Sequence, residues 1–106
     1  MIRGTTPTEI YTIGESSLDL SECVQIWVTI VDYSCKEFTW DIDRLTVDSA
    51  NNTISLTLTQ TETLAFTPGG AYAQLRFLYS DGSAFASKRV SFAIEDVKKG
   101  GVITNE

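Results

Sequence analysis

The chain contains no histidine, one methionine, two prolines and two cysteines in 106 residues. The missing histidine removes the commonest general base. Neither cysteine has a C-x-x-C partner or a histidine to activate it. No P-loop, G-x-G-x-x-G, H-E-x-x-H or G-x-S-x-G motif occurs, and "PGGA" is turn chemistry rather than a phosphate cradle. Basic residues are scarce as well, eight against fourteen acidic, for a net charge of −6 at pH 7. Phosphate binding needs a positive field, so this balance speaks against nucleic acid and anionic membranes as partners. No segment approaches a membrane span, and the opening "MIRGTTPTEI" has no apolar run of signal-peptide length. These absences predict a protein that is not an enzyme, holds no cofactor or metal, and is made in a cytoplasm without secretion through a signal peptide.

What is abundant points to strands. Fourteen threonines stand among frequent valine, isoleucine and aromatic residues, the composition of pleated, half-buried surfaces. No apolar 3.6-residue period lasts beyond two turns. Strands are expected near Glu9–Ile13, Glu22–Asp32, Lys36–Ile42, Thr53–Thr59, Ala71–Ser80 and Ala84–Ile94, with a short one through Arg44–Val47. About seven strands at this spacing suggest a sandwich or barrel, and strands with one apolar and one polar face favour an all-β, antiparallel sandwich. One domain over residues 1–106 can bury roughly 65% of its unfolded surface.

Alternation assigns the faces. In "CVQIWVTIVD", Val24, Ile26, Val28 and Ile30 form the core side, leaving Gln25, Trp27 and Thr29 outward. "YSDGSA" suits a two-residue type I′ turn at Asp81-Gly82. That register places Ala73, Leu75, Phe77 and Tyr79 inside with Ala86, Val90 and Phe92. Gln74, Arg76, Ser87, Arg89 and Ser91 then face outward, and Lys88 on the apolar side calls for a bulge or a snorkelling ammonium near an edge. "SANNTI" makes another turn at Ala50–Asn52, leading into Ile54, Leu56 and Leu58. Cys23 and Cys35 lie at opposite ends of one hairpin, roughly 25–30 Å apart. A disulfide needs Cα atoms within about 7 Å, so both thiols are expected to be free.

"TLTQTETLAF" breaks the alternation. Thr59 and Glu62 have the spacing of a helix capping box, and Leu64 and Phe66 follow where they can cover an open end of the sandwich. Glu62 is therefore read as a cap rather than a catalytic acid. The tail "EDVKKGG" can make one further helical turn stopped by Gly100. Asp41, Asp43 and Asp48 lack calcium-loop spacing and read as surface acids. "NNT" at Asn51 matches a glycosylation acceptor, which matters only on a secretory route.

Exposed aromatic residues carry the functional signal. Trp27 is expected outward on a central strand, and Leu78 faces Phe85 across the Asp81-Gly82 hairpin, also outside. A contiguous apolar patch of this kind marks a binding surface, so Trp27, Leu78 and Phe85 are the candidate partner contacts. Trp40 depends on hairpin register: an even offset turns Phe38 and Trp40 inward with Val28 and Ile30, an odd one sets Trp40 outside beside Trp27. The inward arrangement groups the apolar side chains.

Three segments, "RGTTPT" at Arg3–Thr8, "ISLTLTQTETLAF" at Ile54–Phe66 and "LYSDGSAFAS" at Leu78–Ser87, resemble a family of small, uncharacterised prophage proteins of Gram-positive gut bacteria. The resemblance covers about residues 3 to 103 and departs through "YSCKEFTWDIDRLTVDSANN". It implies an immunoglobulin-like domain encoded near tail and baseplate genes, with no catalytic residue to carry over. The expected role is structural or accessory, in a virion or in the host cytoplasm during assembly. Tail or baseplate proteins, or further copies of the chain, are the expected partners, met through a sheet face or an edge strand. The alternative is a module that binds carbohydrate or another host-surface ligand through exposed aromatics such as Trp27.

Overall fold

The computed structural model describes residues 1–14 and 19–104. In chain order the elements are β1 (Thr8–Thr12), β2 (Cys23–Val31), β3 (Glu37–Trp40), β4 (Leu45–Asp48), β5 (Thr53–Thr57), α1 (Gln60–Leu64), β6 (Gly69–Tyr79), β7 (Ala84–Ala86) and β8 (Val90–Ile94). They form two antiparallel sheets, one ordered β1-β5-β4, the other β3-β2-β6-β7 with β8 also paired to β6. The fold is thus an all-β sandwich, as the alternation requires.

Its interior is built from the inward faces of both sheets. Ile26, Val28 and Ile30 of β2 meet Ile54, Leu56 and Leu58, with Ala73, Leu75 and Phe77 of β6 beside them, all buried. Burying each large side chain of this kind contributes about 1.5–3 kcal/mol. The β2–β3 register pairs Val28 with Trp40 and Ile30 with Phe38. That even offset turns Trp40 into the core, while Phe38 is partly buried against it. Cys23 opens β2, Cys35 sits in the turn beyond its other end, and both thiols are free.

Four details depart from the sequence reading. Val24 is half exposed because the β2–β6 register shifts between Cys23 and Gln25, which leaves Val24 as the extra residue of a bulge. The expected strand Ala84–Ile94 is broken at Ser87–Arg89, so Val90 is 47% exposed and Phe92 only partly buried. In the tail no helical turn forms, because Glu95 is held extended by Met1 and Arg3 (Glu95 N–H to Met1 O 2.8 Å, Arg3 N–H to Glu95 O 2.9 Å). Farther along the tail, Ile103 exchanges two hydrogen bonds with the Gln60 amide (2.7 and 2.9 Å). Finally, besides α1 there are short 3₁₀ turns at Leu20–Glu22 and Ile42–Arg44, capped by Asp19 and Asp41.

Candidate functional site

The sandwich differs sharply between its α1 end and the flank along β7 and β8. At the α1 end, Thr59 and Glu62 form the capping box: Glu62 N–H donates to Thr59 Oγ1 (3.2 Å) and Thr59 N–H to Glu62 Oε1 (2.9 Å). The same carboxylate accepts both terminal nitrogens of Arg44 (2.8 Å each) and the indole N–H of Trp40 (2.6 Å). The Arg44 guanidinium holds the Glu62 carboxyl down to about 2, with the Thr59 amide and Trp40 indole adding to the effect against a desolvation cost. Both oxygens of the Glu62 carboxylate are thus engaged in hydrogen bonds that hold the fold. Phe66 lies beneath, fully buried, edge-on to Phe38 at 4.8 Å and to Trp40 at 6.5 Å.

Asp32 seals the same end from the opposite sheet. It is buried, its Oδ1 accepting Ser34 N–H, Ser34 Oγ–H and Lys36 N–H, its Oδ2 accepting Thr67 N–H at 2.9 Å. Burial pushes this carboxyl up, yet the hydrogen bonds outweigh it and hold it below the usual range. Sequence reasoning passed over Asp32, although a local signal exists. The chain carries D-x-S three times, at Asp19, Asp32 and Asp81, and each aspartate accepts both the amide and hydroxyl of the serine two places on. Two further surface acids act similarly: Asp48 accepts Ala50 and Asn51 amides, and Asp41 accepts that of Asp43.

The Arg3–Thr8 and Ile54–Phe66 segments also meet here. Thr63, fully buried, accepts the Gly4 amide (2.9 Å) and donates to Thr5 O (2.9 Å), while Arg3 donates to Leu64 O (2.7 Å) and pairs with Asp96. Leu64 reaches the Gly4 backbone beside Val97 rather than the core.

The β7–β8 flank stays open, and β7 is slipped in register. Gly82 N–H donates to Tyr79 O (3.0 Å) and Tyr79 N–H to Ser83 O (2.9 Å), with Gly82 at φ +89°. The loop is therefore Ser80–Gly82, a three-residue turn with a glycine bulge, not the two-residue type I′ turn expected. One residue of slip exchanges the faces of β7. Phe85 pairs with Phe77 and Ala86 with Arg76, so Phe85 points to the inter-sheet side and Ala86 outward, the reverse of the expectation. Between Ala86 and Val90 a second irregularity restores the original register, and Ala73 pairs with Val90 as the sequence suggested. Ser87 bridges the break: its amide donates to Leu75 O (2.8 Å) and its hydroxyl accepts the Leu75 amide (2.9 Å). Lys88 falls in this break and is exposed, the first of the two outcomes expected for it.

Along the break the two sheets do not close. A groove of about 570 Å³ is lined by Thr12, Ile13, Phe77, Phe85, Lys88 and Val90 among others. A smaller hollow of about 240 Å³ continues it beneath Ile10 and Tyr11. Phe85 is 47% exposed although its face is the inner one, because the groove lies between it and Thr12 and Ile13 on the facing side; its ring rests on Tyr79 at 5.1 Å. Ile10, at 64% exposure the most open apolar side chain of β1, was not singled out by sequence reasoning. The signal was the adjacent pair Ile10-Tyr11: an edge strand can bury only one of two neighbours.

Of the three expected contact residues, the structure brings two together. Trp27 pairs with Arg76, and Leu78 with Gln25 and Ala84, so Trp27 and Leu78 share the outer face of the larger sheet, each half-buried. Phe85 leaves that face for the groove. Among the described residues no group of His, Cys, Asp and Glu side chains could hold a metal ion, and no helix is long and apolar enough to cross a membrane. Burial, with Asp19 nearby, pushes the Cys23 thiol up, which makes it a poorer nucleophile. Compared with protein-family models, curated proteins and solved structures, the chain matches none of them.

Proposed function

We propose that the chain is a small structural or accessory protein of a phage tail or baseplate, acting through protein–protein contacts. The observation that carries this reading is the distribution of order. Its carboxylates with defined partners are consumed in capping and turns, while apolar side chains are left uncovered along one flank at Ile10, Phe85 and Val90. Uncovered apolar positions with polar surroundings are the make-up of interfaces. The resemblance of the Arg3–Thr8, Ile54–Phe66 and Leu78–Ser87 segments to prophage proteins supplies the setting.

Strand order supports the immunoglobulin-like reading. With β1 as strand B, the smaller sheet reads B-E-D and the larger C′-C-F-G, and Ile2 bridges Glu95, just past the last strand, in parallel. The antibody-type core of a buried tryptophan against a disulfide is not part of this likeness, since Trp27 faces outward and both cysteines are free. The carbohydrate alternative draws on Trp27, but that ring is half-buried beside Arg76 and Leu78 rather than presented as a bare platform.

The test is to purify particles induced from a host carrying the gene and to analyse their proteins by mass spectrometry, with a deletion strain examined for tail morphology. Finding the protein in virions, or abnormal tails without it, supports the reading. Normal tails together with its absence from particles would overturn it. Trp27→Ala should leave folding intact and reduce incorporation if the outer face is the contact.

A further inference from the structure

From the open flank we infer that β1 is a homodimerisation edge, pairing antiparallel with β1 of a second copy about a two-fold axis at Ile10. The inference rests on the protein–protein reading above and names the surface and the partner.

Backbone parity sets the register. Leu58 N–H donates to Pro7 O (3.0 Å) and Ile13 N–H to Asn52 O (2.9 Å), so the odd residues of β1 bond toward β5. In an antiparallel ladder the even residues then point the other way. The N–H and C=O groups of Thr8, Ile10 and Thr12 therefore face the free edge, since β1 ends its sheet. That edge has no lysine, no internal proline and no bulge; its one charge is Glu9, on the inter-sheet side.

Only one register uses all three residues. Centred on Ile10, it pairs Ile10 with Ile10 of the second copy and Thr8 with Thr12 in both directions. The two Ile10 side chains, each 64% exposed on the outer face opposite Ser55, then cover one another. Moving the axis to Glu9 would set the two Glu9 carboxylates face to face. Moving it to Tyr11 leaves only Ile10 and Thr12 of the three outward-bonding residues in mutual pairing.

Charge complementarity favours the same register. Glu9 and Tyr11 point to the inter-sheet side, opposite Leu56 and Ile54. In the dimer Glu9 of one copy lies across from Tyr11 of the other, about 4.8 Å away at strand spacing, and diagonal to Ile13. Lys88 lines the groove beside Thr12 and Ile13. The ion pairs of the described chain are Arg3–Asp96 and Arg44–Glu62, so Glu9 and Lys88 are both without one. Pairing joins them twice, once on each side of the axis.

The experiment is light scattering and sedimentation on the unaltered chain from about 1 µM to about 1 mM. The expected result is a species of twice the 11.7 kDa chain mass growing with concentration. Ile10→Pro removes an outward N–H while leaving the bonds to β5 intact, and should abolish the dimer. Glu9→Lys and Lys88→Glu should each weaken it about tenfold, and the double exchange should restore it. Hydrogen exchange on the unaltered protein gives a readout that needs no variant: amides of Thr8, Ile10 and Thr12 should gain protection with concentration. A monomer throughout, a dimer surviving Ile10→Pro, no rescue by the double exchange, or a dimer that leaves those amides unprotected would each overturn the inference. A monomer found in virions would sink this dimer and leave the phage reading standing; a β1 dimer absent from virions, with normal tails in the deletion strain, would do the reverse.

Discussion

Phe66 and Phe85 are the same residue type, both on the inter-sheet side, yet one is 2% exposed and the other 47%. Phe66 follows α1, which is clamped to β4 and β5 through Arg44, to β3 through Trp40 and to the N-terminal segment through Thr63. Phe85 sits on a three-residue strand between a glycine-bulge turn and a break, with the open groove between it and Thr12 of the smaller sheet. The contrast teaches that inward orientation and burial are separate properties. Pleat decides which way a side chain points, while the reach of the facing sheet decides whether it is covered.

The most direct way to break that comparison is truncation at both sites. Phe66→Ala should cost about 3–5 kcal/mol, the range for removing a buried aromatic ring from a packed end. Phe85→Ala should cost less than about 1 kcal/mol, since water already reaches that ring. Urea unfolding of both variants measures the difference. Equal losses would mean that the β7 flank is as closed as the α1 end.

Two glycines sharpen it next. Gly69 has φ +130°, and a Cβ there would lie 2.7 Å from Cγ of the Tyr33 ring. Gly69→Ala should therefore cost about 2–3 kcal/mol, combining conformational strain with displacement of Tyr33. Gly82, at φ +89°, has nothing within 4 Å of the same position. Gly82→Ala should cost only the conformational part, about 1 kcal/mol. A Tyr33→Ala background should lower the Gly69→Ala cost and leave that of Gly82→Ala unchanged.

The α1 end was the more legible in sequence, for a physical reason. Its determinants are local: a threonine three before a glutamate, and an even hairpin offset that turns Trp40 toward Val28. The β7 flank depends on whether a D-G turn has two residues or three, a choice worth little energy by itself that nevertheless inverts every side chain up to the next irregularity. Because Ser87–Arg89 supplies that irregularity, β8 returned to the expected register while Phe85 and Ala86 did not. The Glu62 partners Arg44 and Trp40 lie 18 and 22 residues away in sequence, so a capping motif disclosed the cap and not the network. Ile10 escaped notice because its exposure follows from β1 ending a sheet, and strand order is not written in alternation.

The smallest expected effect isolates the charge at the closed end. Glu62→Gln keeps the shape and preserves a capping-box residue at its position. What it removes is the charge facing Arg44, whose side chain is 41% exposed, so solvent limits the loss at neutral pH to about 1 kcal/mol. The pH dependence carries a definite sign. The folded Glu62 carboxyl titrates at about 2, against an ordinary 4.5, chiefly because Arg44 bonds its ionised form. A depressed folded value means that the contribution is complete above about pH 4.5 and is lost as pH falls toward 2. Stability of the unaltered chain should thus drop through that window more steeply than stability of the Glu62→Gln variant, and the two should converge near pH 2. Asp32, whose carboxyl is also held low, titrates in both proteins and cancels from the difference. A constant gap between the two curves from pH 7 to pH 2 would show that Glu62 acts through shape and capping alone, and the closed end would then owe nothing to its ion pair.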